Sequence, residues 1–440
     1  MIDALSFMSP RPGSCGGRVR VRGLLFKRPR YFRRTHRMTL PHPSRRELLK
    51  HSAAGLIAIP WMTGGRETRL RANEPARDAA SITKQLDIKT EQPFNAEAPL
   101  STLGERWITP LESFYVRSNG AVPALNVRDF TLTVEGLVEK PLTLKVGELI
   151  ERFPSVKSIA TLTCAGNRRI EFAATTKKAS GLPWVSGAMG NAEWAGVRLS
   201  DVLKLAGVKP GSKHVWFDGL DQVVEKTETI SFGGSIPLDK AMADTMSAPG
   251  TLLATHMNGR VLLPEHGFPL RSVVPGFVGA RSVKWLGKIT VSDRPSPNRF
   301  VASSYKVVPE DTPAALAAAT PLYEQCLNSM ISSPLEGAAI KDGRLTVKGF
   351  AMAAGHAGRS VKLVEVSTDN GQSWQPAQFT SPVREFCWVL WSIDLALTPQ
   401  TTSLLVRATD SSGETQPQHM LWNAKGYQYN AWHKVNVKRA

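Results

Sequence analysis

The chain contains little cysteine, and its four cysteines are not spaced for the common cysteine-based cofactor sites. Cys15, Cys164, Cys326 and Cys387 form no CxxC pair and no CxxCH motif within the 440 residues. Zinc ribbons and iron–sulfur clusters use such pairs, and covalent haem attachment uses the CxxCH motif. A cysteine of this chain that binds a metal would therefore act as a single ligand.

Signatures of several other functional classes are also missing. The sequence has no glycine-rich phosphate loop, no GxSxG nucleophile elbow and no HExxH motif. It has no RRM, zinc-finger or helix-turn-helix signature either. The formal net charge is +18, but residues 1–37 carry ten Lys or Arg with one Asp, and residues 38–72 carry six with two Glu. The remainder has a net charge of +5, which favours a funnel for an anion over a nucleic-acid surface.

The N-terminal region is predicted to direct export. SRRELLK at 44–50 precedes an apolar stretch at 53–62, a pattern typical of a twin-arginine signal peptide; the alternative is an ordinary basic amphipathic helix. The stretch is too short for a stable membrane anchor. We therefore expect a periplasmic protein exported by the twin-arginine route. Residues 1–37 are interpreted as a spurious N-terminal extension, and residues 38–80 as the signal peptide and linker.

One cysteine, Cys164, lies in a segment suited to a metal-bound thiolate. The run 159–163 is β-branched and predicts a strand, and the small residues at 165–167 allow a sharp turn at its end. Arg168 and Arg169 follow and offer two guanidinium groups to an oxyanion. A thiolate beside them or on a metal would stay deprotonated. On the residues alone, an inert buried thiol stays equally open.

This segment and several others resemble the sulfite oxidase family of molybdenum enzymes, in matches that run from Tyr115 to His433. The segment around Cys164 resembles the family's metal-ligand segment, and the others resemble its GLxW, HGFPxR…PG…GARxVKW and WNLRG…WH motifs. The matching segments are TCAGNRR (163–169), GLPW (181–184), HGFPLRSVVPG (266–276), GARSVKW (279–285), WNAKG (422–426) and WH (432–433).

The resemblance implies an α+β fold in two domains. A mixed α/β catalytic domain of the sulfite oxidase type, predicted at 85–305, would bind molybdopterin. An all-β immunoglobulin-like sandwich at 322–440 would mediate dimerisation, as it does in the family.

The residue pattern agrees with this division. A β-rich run at 130–136 and a helical segment at 199–206 are typical of the first region. After a Pro- and Ala-rich connection at 308–321, the pattern is almost wholly strand and turn. The predicted strands there are 345–350, 361–367, 386–393 and 404–408.

The resemblance also implies a molybdenum–molybdopterin cofactor with the Cys164 thiolate as the protein ligand of the metal. It maps catalytic positions onto Arg117, Arg169, Trp184, Tyr305 and Lys425. Arginine forks and a lysine charge suit an oxyanion, and a tyrosine hydroxyl can donate a hydrogen bond to it. Cofactor-binding positions map onto Tyr115, Val116, Ser118, Asp221, His266, Arg271, Arg281, Ser282 and Lys284.

Two positions depart from the family pattern. The family's RNH segment reads Arg117, Ser118, Asn119 here, so a histidine is lost. The arginine of the WNLRG segment is Lys425, which makes no bidentate contact with an oxyanion. We expect these changes to alter affinity or substrate while the pocket remains positive.

The activity implied by the resemblance is oxidation of sulfite to sulfate by a periplasmic sulfite dehydrogenase. No haem motif or fused haem domain is seen in this chain, so we expect electrons to pass to a separate c-type cytochrome. A homodimer is expected from the second domain. The alternative is the sulfane dehydrogenase subunit of a thiosulfate-oxidising complex. A sulfoxide reductase of the same superfamily fits less well, and a cofactor-free export or assembly protein would be a binding module.

Five tryptophans and two cysteines of the second region have plainer interpretations. We predict that the tryptophans contribute to the core rather than to a ligand cage; they are Trp374, Trp388, Trp391, Trp422 and Trp432. Cys326 and Cys387 either pair in the oxidising compartment or stay free buried thiols.

Overall fold

The computed structural model describes residues 84–174, 178–225, 228–243, 250–340 and 343–439. The predicted extension at 1–37, the signal peptide and linker at 38–80, and Cys15 lie outside the described residues. No helix in the described ranges is both long enough and apolar enough to span a membrane. The helices described are α1 (Leu100–Leu103), α2 (Val146–Arg152), α3 (Leu199–Ala206), α4 (Leu238–Met242) and α5 (Pro313–Ala318).

The first domain is built on two five-stranded sheets, of which one is mixed and the other is antiparallel. Its strands are β1 (Asp87–Thr90), β2 (Asn95–Glu97), β3 (Thr131–Gly136), β4 (Leu142–Lys145), β5 (Ser155–Thr163), β6 (Met189–Arg198), β7 (His214–Gly219), β8 (Val223–Val224), β9 (Thr229–Ile230), β10 (Gly233–Pro237), β11 (Leu252–Met257), β12 (Arg260–Val261), β13 (Arg271–Val273) and β14 (Leu286–Ser292). One sheet has the order β10-β7-β14-β3-β4, with β14 and β3 parallel. The other has the order β12-β11-β6-β5, and β13 also pairs with β11. Two short hairpins, β1-β2 and β8-β9, complete the domain.

The helix α3 shows how the sequence pattern becomes packing in this domain. Its buried residues Leu199, Val202, Leu203 and Ala206 recur at helical spacing and join the core of the first sheet. Gly207 ends the helix in the left-handed conformation, with φ of 70°, and its N–H caps Leu203 O. The predicted helix at 199–206 is therefore confirmed.

The second domain is a β-sandwich. Its strands are β15 (Asn328–Ser333), β16 (Ala338–Ile340), β17 (Arg344–Met352), β18 (Val361–Ser367), β19 (Gln375–Pro376), β20 (Gln378–Phe379), β21 (Val389–Ala396), β22 (Ser403–Asp410) and β23 (His433–Arg439). The sheets have the orders β15-β17-β21-β20 and β16-β23-β22-β18-β19. Apolar residues from both sheets form one shared core, as alternating burial along each strand requires. The predicted α+β fold with a β-rich second domain is confirmed.

One local prediction in this part was wrong. The strand predicted at 386–393 begins only at Val389, because Phe386 has a φ of 59° and cannot continue a strand. The predicted connection at 308–321 contains α5. Pro313 occupies the first turn of this helix, and the Thr312 side chain accepts a hydrogen bond from Ala315 N.

The second domain holds the strand that leads to Cys164. Thr161 of β5 donates its N–H to Phe386 O at 2.8 Å, and its hydroxyl accepts from Trp388 N at 2.8 Å. The Cys387 thiol donates to Ile159 O at 3.2 Å. The sandwich therefore fixes the strand end from which the proposed metal ligand projects.

Cysteines and tryptophans of the second domain divide between the core and the surface. Cys326 and Cys387 are free, and burial raises the pKa of each thiol to about 12. Trp388 and Trp391 are core residues. Trp374 and Trp432 are only half-buried, so their prediction as core was wrong. Trp422 is half-buried as well, but it packs against a core cluster that includes Phe172 and Tyr429.

The half-buried Trp374 and Trp432 instead form a cluster with a cation. They pack edge to face at 4.7 Å, and the Arg407 guanidinium lies 4.1 Å from the Trp374 ring centroid.

Candidate active site

The Cys164 thiol projects from a tightly fixed turn at the end of β5. Cys164 N donates to Ala188 O at 2.8 Å, and Asn167 N donates back to Cys164 O at 3.0 Å. The Asn167 side chain accepts from Ala188 N at 3.0 Å. The backbone of the turn is thus satisfied on both sides, which leaves the thiol as its functional group.

The two arginines after this turn point to different environments. Arg168 has a φ of 64°, and its side chain is fully buried. It forms an ion pair with Glu171 at 2.6 Å and donates to Asn328 Oδ1 at 2.8 Å. The expectation that Arg168 offers a donor to an oxyanion was therefore wrong, because its charge is used to join the two domains. Arg169 alone faces the site.

An anion pocket of 160 Å³ adjoins Cys164. All five predicted catalytic residues line it together with the thiol, and no carboxylate is among its described lining residues. These five are Arg117, Arg169, Trp184, Tyr305 and Lys425. Three permanent or near-permanent cations around so small a space favour an anionic occupant.

Backbone and amide groups orient the two arginines of the anion pocket. Arg169 donates from Nε to Lys425 O at 3.1 Å and from Nη1 to Leu182 O at 2.8 Å. Arg117 donates from Nη2 to Asn119 Oδ1 at 2.6 Å and from Nη1 to Asn95 Oδ1 at 3.2 Å. The partners described for both arginines are neutral oxygens, so both charges remain available to a ligand.

Aromatic groups form the remaining wall of the anion pocket. Trp184 is fully buried, and within the described part of the chain its indole N–H has no hydrogen-bond acceptor. An acceptor bound in the pocket would satisfy this donor. Tyr305 stacks on Tyr427 with 5.4 Å between ring centroids, and the Arg169 guanidinium lies 5.2 Å from the Tyr427 ring centroid.

A second cavity, of 60 Å³, also adjoins Cys164 and collects the predicted cofactor-binding residues. Those that line it are Tyr115, Val116, Ser118, Asp221, His266, Arg271, Ser282 and Lys284. Arg281 does not line it. This arginine is fully buried beneath Tyr305 and donates to Leu322 O at 2.8 Å and to Phe300 O at 3.3 Å. Its Nη2 is buried without a hydrogen-bond partner in the described part of the chain, and its contact with the cofactor stays a prediction.

The cations of the cofactor cavity have neutral hydrogen-bond partners. Arg271 donates to the carbonyl groups of His266 and Ser282, and burial lowers its pKa to about 10. Lys284 donates to Ser118 Oγ at 2.7 Å and to Glu265 O at 2.9 Å. Burial, followed by repulsion from Arg271, lowers the pKa of Lys284 well below its usual value. The described hydrogen-bond partners of both cations are neutral, although the carboxyl groups of Asp221 and Glu265 line the same cavity and partly offset the lowering of the Lys284 pKa.

The donor set of this cavity fits molybdopterin, which carries a phosphate and a pterin ring. Arg271 and Lys284 would hold the phosphate, and Ser282 and backbone groups would hold polar atoms of the ring. Asp221 accepts from Phe232 N at 3.1 Å, and burial raises the pKa of its carboxyl group. Cys164 lies at the border of both cavities, where a thiolate could reach a metal held by the cofactor.

Several residues that contact the lining of the two cavities are not among the predicted site residues. Lys84 lies 2.8 Å from His266 Nε2, and burial followed by repulsion from Lys84 lowers the pKa of His266 well below its usual value. Asn95, Tyr427 and Asp311 contact Arg117, Tyr305 and Lys425 respectively. None of these four residues lies in a segment that resembles a family motif. Tyr427 comes nearest, because it directly follows WNAKG.

The comparisons with known proteins agree with this architecture. Residues 119–300 match the family model of the oxidoreductase molybdopterin binding domain, and residues 319–440 match that of the Mo-co oxidoreductase dimerisation domain. The class defined by fold and site is therefore a molybdopterin-dependent oxidoreductase. The domain boundaries at 85–305 and 322–440 stay a prediction.

Similar proteins narrow the class. The chain is 39% identical over 363 residues to sulfite oxidase of Gallus gallus, covering 79% of this chain and 77% of that one. It is 33% identical to sulfite oxidase of Arabidopsis thaliana, covering 86% and 98%. Among solved structures, the sulfane dehydrogenase SoxCD from Paracoccus pantotrophus matches with a TM-score of 0.67 at 26% identity, covering 87% of this chain and 98% of that one. The chain belongs to the sulfite oxidase family.

Proposed function

We propose that this protein oxidises sulfite to sulfate with a molybdenum–molybdopterin cofactor whose metal is bound by the Cys164 thiolate. The observation that carries the proposal is the anion pocket, which places three cations and an unpaired indole donor beside that thiol. Sulfite is a small oxyanion, and the pocket is small, cationic and free of carboxylates among its described lining residues. The family relatives named sulfite oxidase support the same substrate.

Residues of the anion pocket bind and orient the substrate in this proposal. The cofactor, when bound, supplies the two-electron redox centre. Arg117 and Arg169 bind oxyanion oxygens from fixed positions, because their other donors are held by amide and backbone oxygens. Trp184 Nε1 and the Tyr305 hydroxyl donate to the same group of oxygens. These contacts would orient the substrate so that its sulfur lone pair can face the redox centre.

Three further features belong to the proposal. The enzyme acts in the periplasm after twin-arginine export, because residues 44–62 carry that pattern. It passes electrons to a separate c-type cytochrome. It is a homodimer, which the match to the dimerisation domain supports.

A second candidate is a sulfane dehydrogenase subunit, which would act on carrier-bound sulfur. The likeness to SoxCD over 98% of that chain favours this candidate. The identity to relatives named sulfite oxidase favours sulfite.

The test is to purify the exported protein, quantify its molybdenum, and measure sulfite-dependent reduction of ferricyanide and of a c-type cytochrome. Rapid turnover per molybdenum supports the proposal. A fully loaded protein without sulfite turnover contradicts it and favours the sulfane candidate, above all if a cytochrome subunit copurifies. Purified protein without molybdenum would contradict both and favour a binding module.

A further inference from the structure

The side chain of Lys425 lies between the anion pocket and a carboxylate that does not line this pocket. Lys425 Nζ is 2.7 Å from Asp311 Oδ2. Asp311 belongs to the connector just before α5, and its side chain is 45% exposed, against 18% for Lys425. The ammonium therefore has an anion site on one side and a solvent-facing carboxylate on the other.

The backbone around Lys425 is fixed. Ala424 N donates to Val308 O at 2.9 Å, and Lys425 O accepts from Arg169 Nε at 3.1 Å. Gly426 has a φ of 61°, and a Cβ added there would lie 2.7 Å from Arg169 Cγ. Movement at this position is thus confined to the lysine side chain, whose flexible stem lets the ammonium turn from one partner to the other.

The contact between Asp311 and Lys425 is poorly suited to stabilising the fold. One partner is largely exposed, and exposed pairs of this kind contribute little to stability. The same carboxylate does affect the pocket, because it is the acidic partner of one of three pocket cations. It competes with an incoming oxyanion for the ammonium and repels that anion through space.

We propose that Asp311 is a specificity-determining residue of the anion pocket. Its carboxylate holds the Lys425 ammonium and lowers the affinity of the pocket for doubly charged oxyanions. Sulfate, the product in the proposed function on which this inference rests, then leaves readily, and a monoanion is penalised less than a dianion. An arginine, as in the family motif, would bind an oxyanion more rigidly; a lysine paired with Asp311 allows exchange.

The test compares binding of inorganic sulfate to the holoenzyme and to variants with equal molybdenum content. Asp311→Asn removes the charge and keeps the shape, whereas Glu310→Gln removes the same charge from the exposed neighbouring residue and serves as the matched control. Lys425→Met, alone and combined with Asp311→Asn, tests whether the effect passes through the lysine. Sulfate affinity is measured by calorimetry at low and high ionic strength.

We expect Asp311→Asn to bind sulfate about 3- to 10-fold more tightly at low ionic strength, with a smaller gain at high salt. Glu310→Gln should change the affinity less than twofold, and the gain should disappear in the Lys425→Met background. Unchanged or weaker sulfate binding in Asp311→Asn would overturn the proposal. An equal gain in Glu310→Gln, or a gain that survives Lys425→Met, would overturn the route through Lys425.

Failure of this inference is distinguishable from failure of the proposed function. Sulfate binding does not depend on turnover, so the predicted gain without any sulfite oxidation would support the role of Asp311 and contradict the function. Rapid sulfite oxidation with no change in sulfate affinity would do the reverse. The thermal unfolding temperature of Asp311→Asn should match that of the parent protein, because the Asp311 side chain is 45% exposed and such pairs contribute little to stability.

Discussion

The two cavities that meet at Cys164 treat their cations differently. In the cofactor cavity, Arg271 and Lys284 are held by carbonyl and hydroxyl groups, and their surroundings depress both pKa values. In the anion pocket, Arg117 and Arg169 are oriented by neutral oxygens, and Lys425 is paired with an exposed carboxylate. In the proposed site, a cofactor phosphate would add an anion that pairs with Arg271 and Lys284 beyond the nearby Asp221 and Glu265. In the anion pocket, by contrast, the Asp311 carboxylate would compete with a bound anion for the Lys425 ammonium and so favour its release.

Replacing Cys164 by serine affects both cavities and should have the largest effect. Sulfite turnover per molybdenum should fall at least about 1,000-fold, because the proposed metal ligand is lost while the cations of the cofactor cavity remain. Metal and pterin content should stay close to that of the parent protein. Turnover of the serine variant at the parent rate would end the assignment of Cys164 as a ligand.

Loss of a cation from the cofactor cavity should reduce cofactor content. In Lys284→Met, the cofactor should be retained at least about 30-fold more weakly, because a buried charge of the cofactor loses its partner. Molybdenum per chain after dialysis is the measurement, and Lys284→Arg, which keeps the charge, is the control. The cofactor-free form should be no less stable than the parent, since the cost of burying the Lys284 ammonium is removed. Full molybdenum occupancy in Lys284→Met would contradict the assignment.

Loss of a cation from the anion pocket should instead weaken substrate binding alone. Arg169→Gln should raise KM for sulfite about 10- to 100-fold, as expected for a lost charge-assisted hydrogen bond. Molybdenum content should not change. Arg169→Lys should recover part of the loss, because it retains the charge without the fork. If Arg169→Gln lost its cofactor instead, the separation between the two cavities would be wrong.

The pH dependence of the free energy of unfolding should report the buried Lys284 in the cofactor cavity. A lysine whose pKa is lowered by folding binds fewer protons in the folded protein than in the unfolded chain. Stability of the cofactor-free form should therefore rise with pH between the lowered pKa of Lys284 and its usual value, by up to about 1.4 kcal/mol per pH unit. Chemical denaturation at several pH values measures this slope. An identical slope in cofactor-free Lys284→Met would exclude Lys284 as its source.

Much of the site was predictable because its residues occur in contiguous motifs. TCAGNRR carries two predicted site residues, GARSVKW carries three, and WNAKG carries Lys425. Periodicity was sufficient for α3 and for most strands of the sandwich, because burial on one face imposes a regular spacing. A strand prediction failed where one backbone angle decided the outcome, at Phe386.

The amino-acid sequence by itself determined the class of fold, the metal-ligand candidate and most residues of both cavities. Only the tertiary structure showed that Arg168 is buried against Asn328 and that Arg281 is not among the lining residues of the cofactor cavity. It placed Lys84 beside His266. It also paired Asp311 with Lys425 across 114 positions of the chain. Such contacts join side chains that are distant in sequence, and they depend on packing between elements, so no local pattern of residues encodes them.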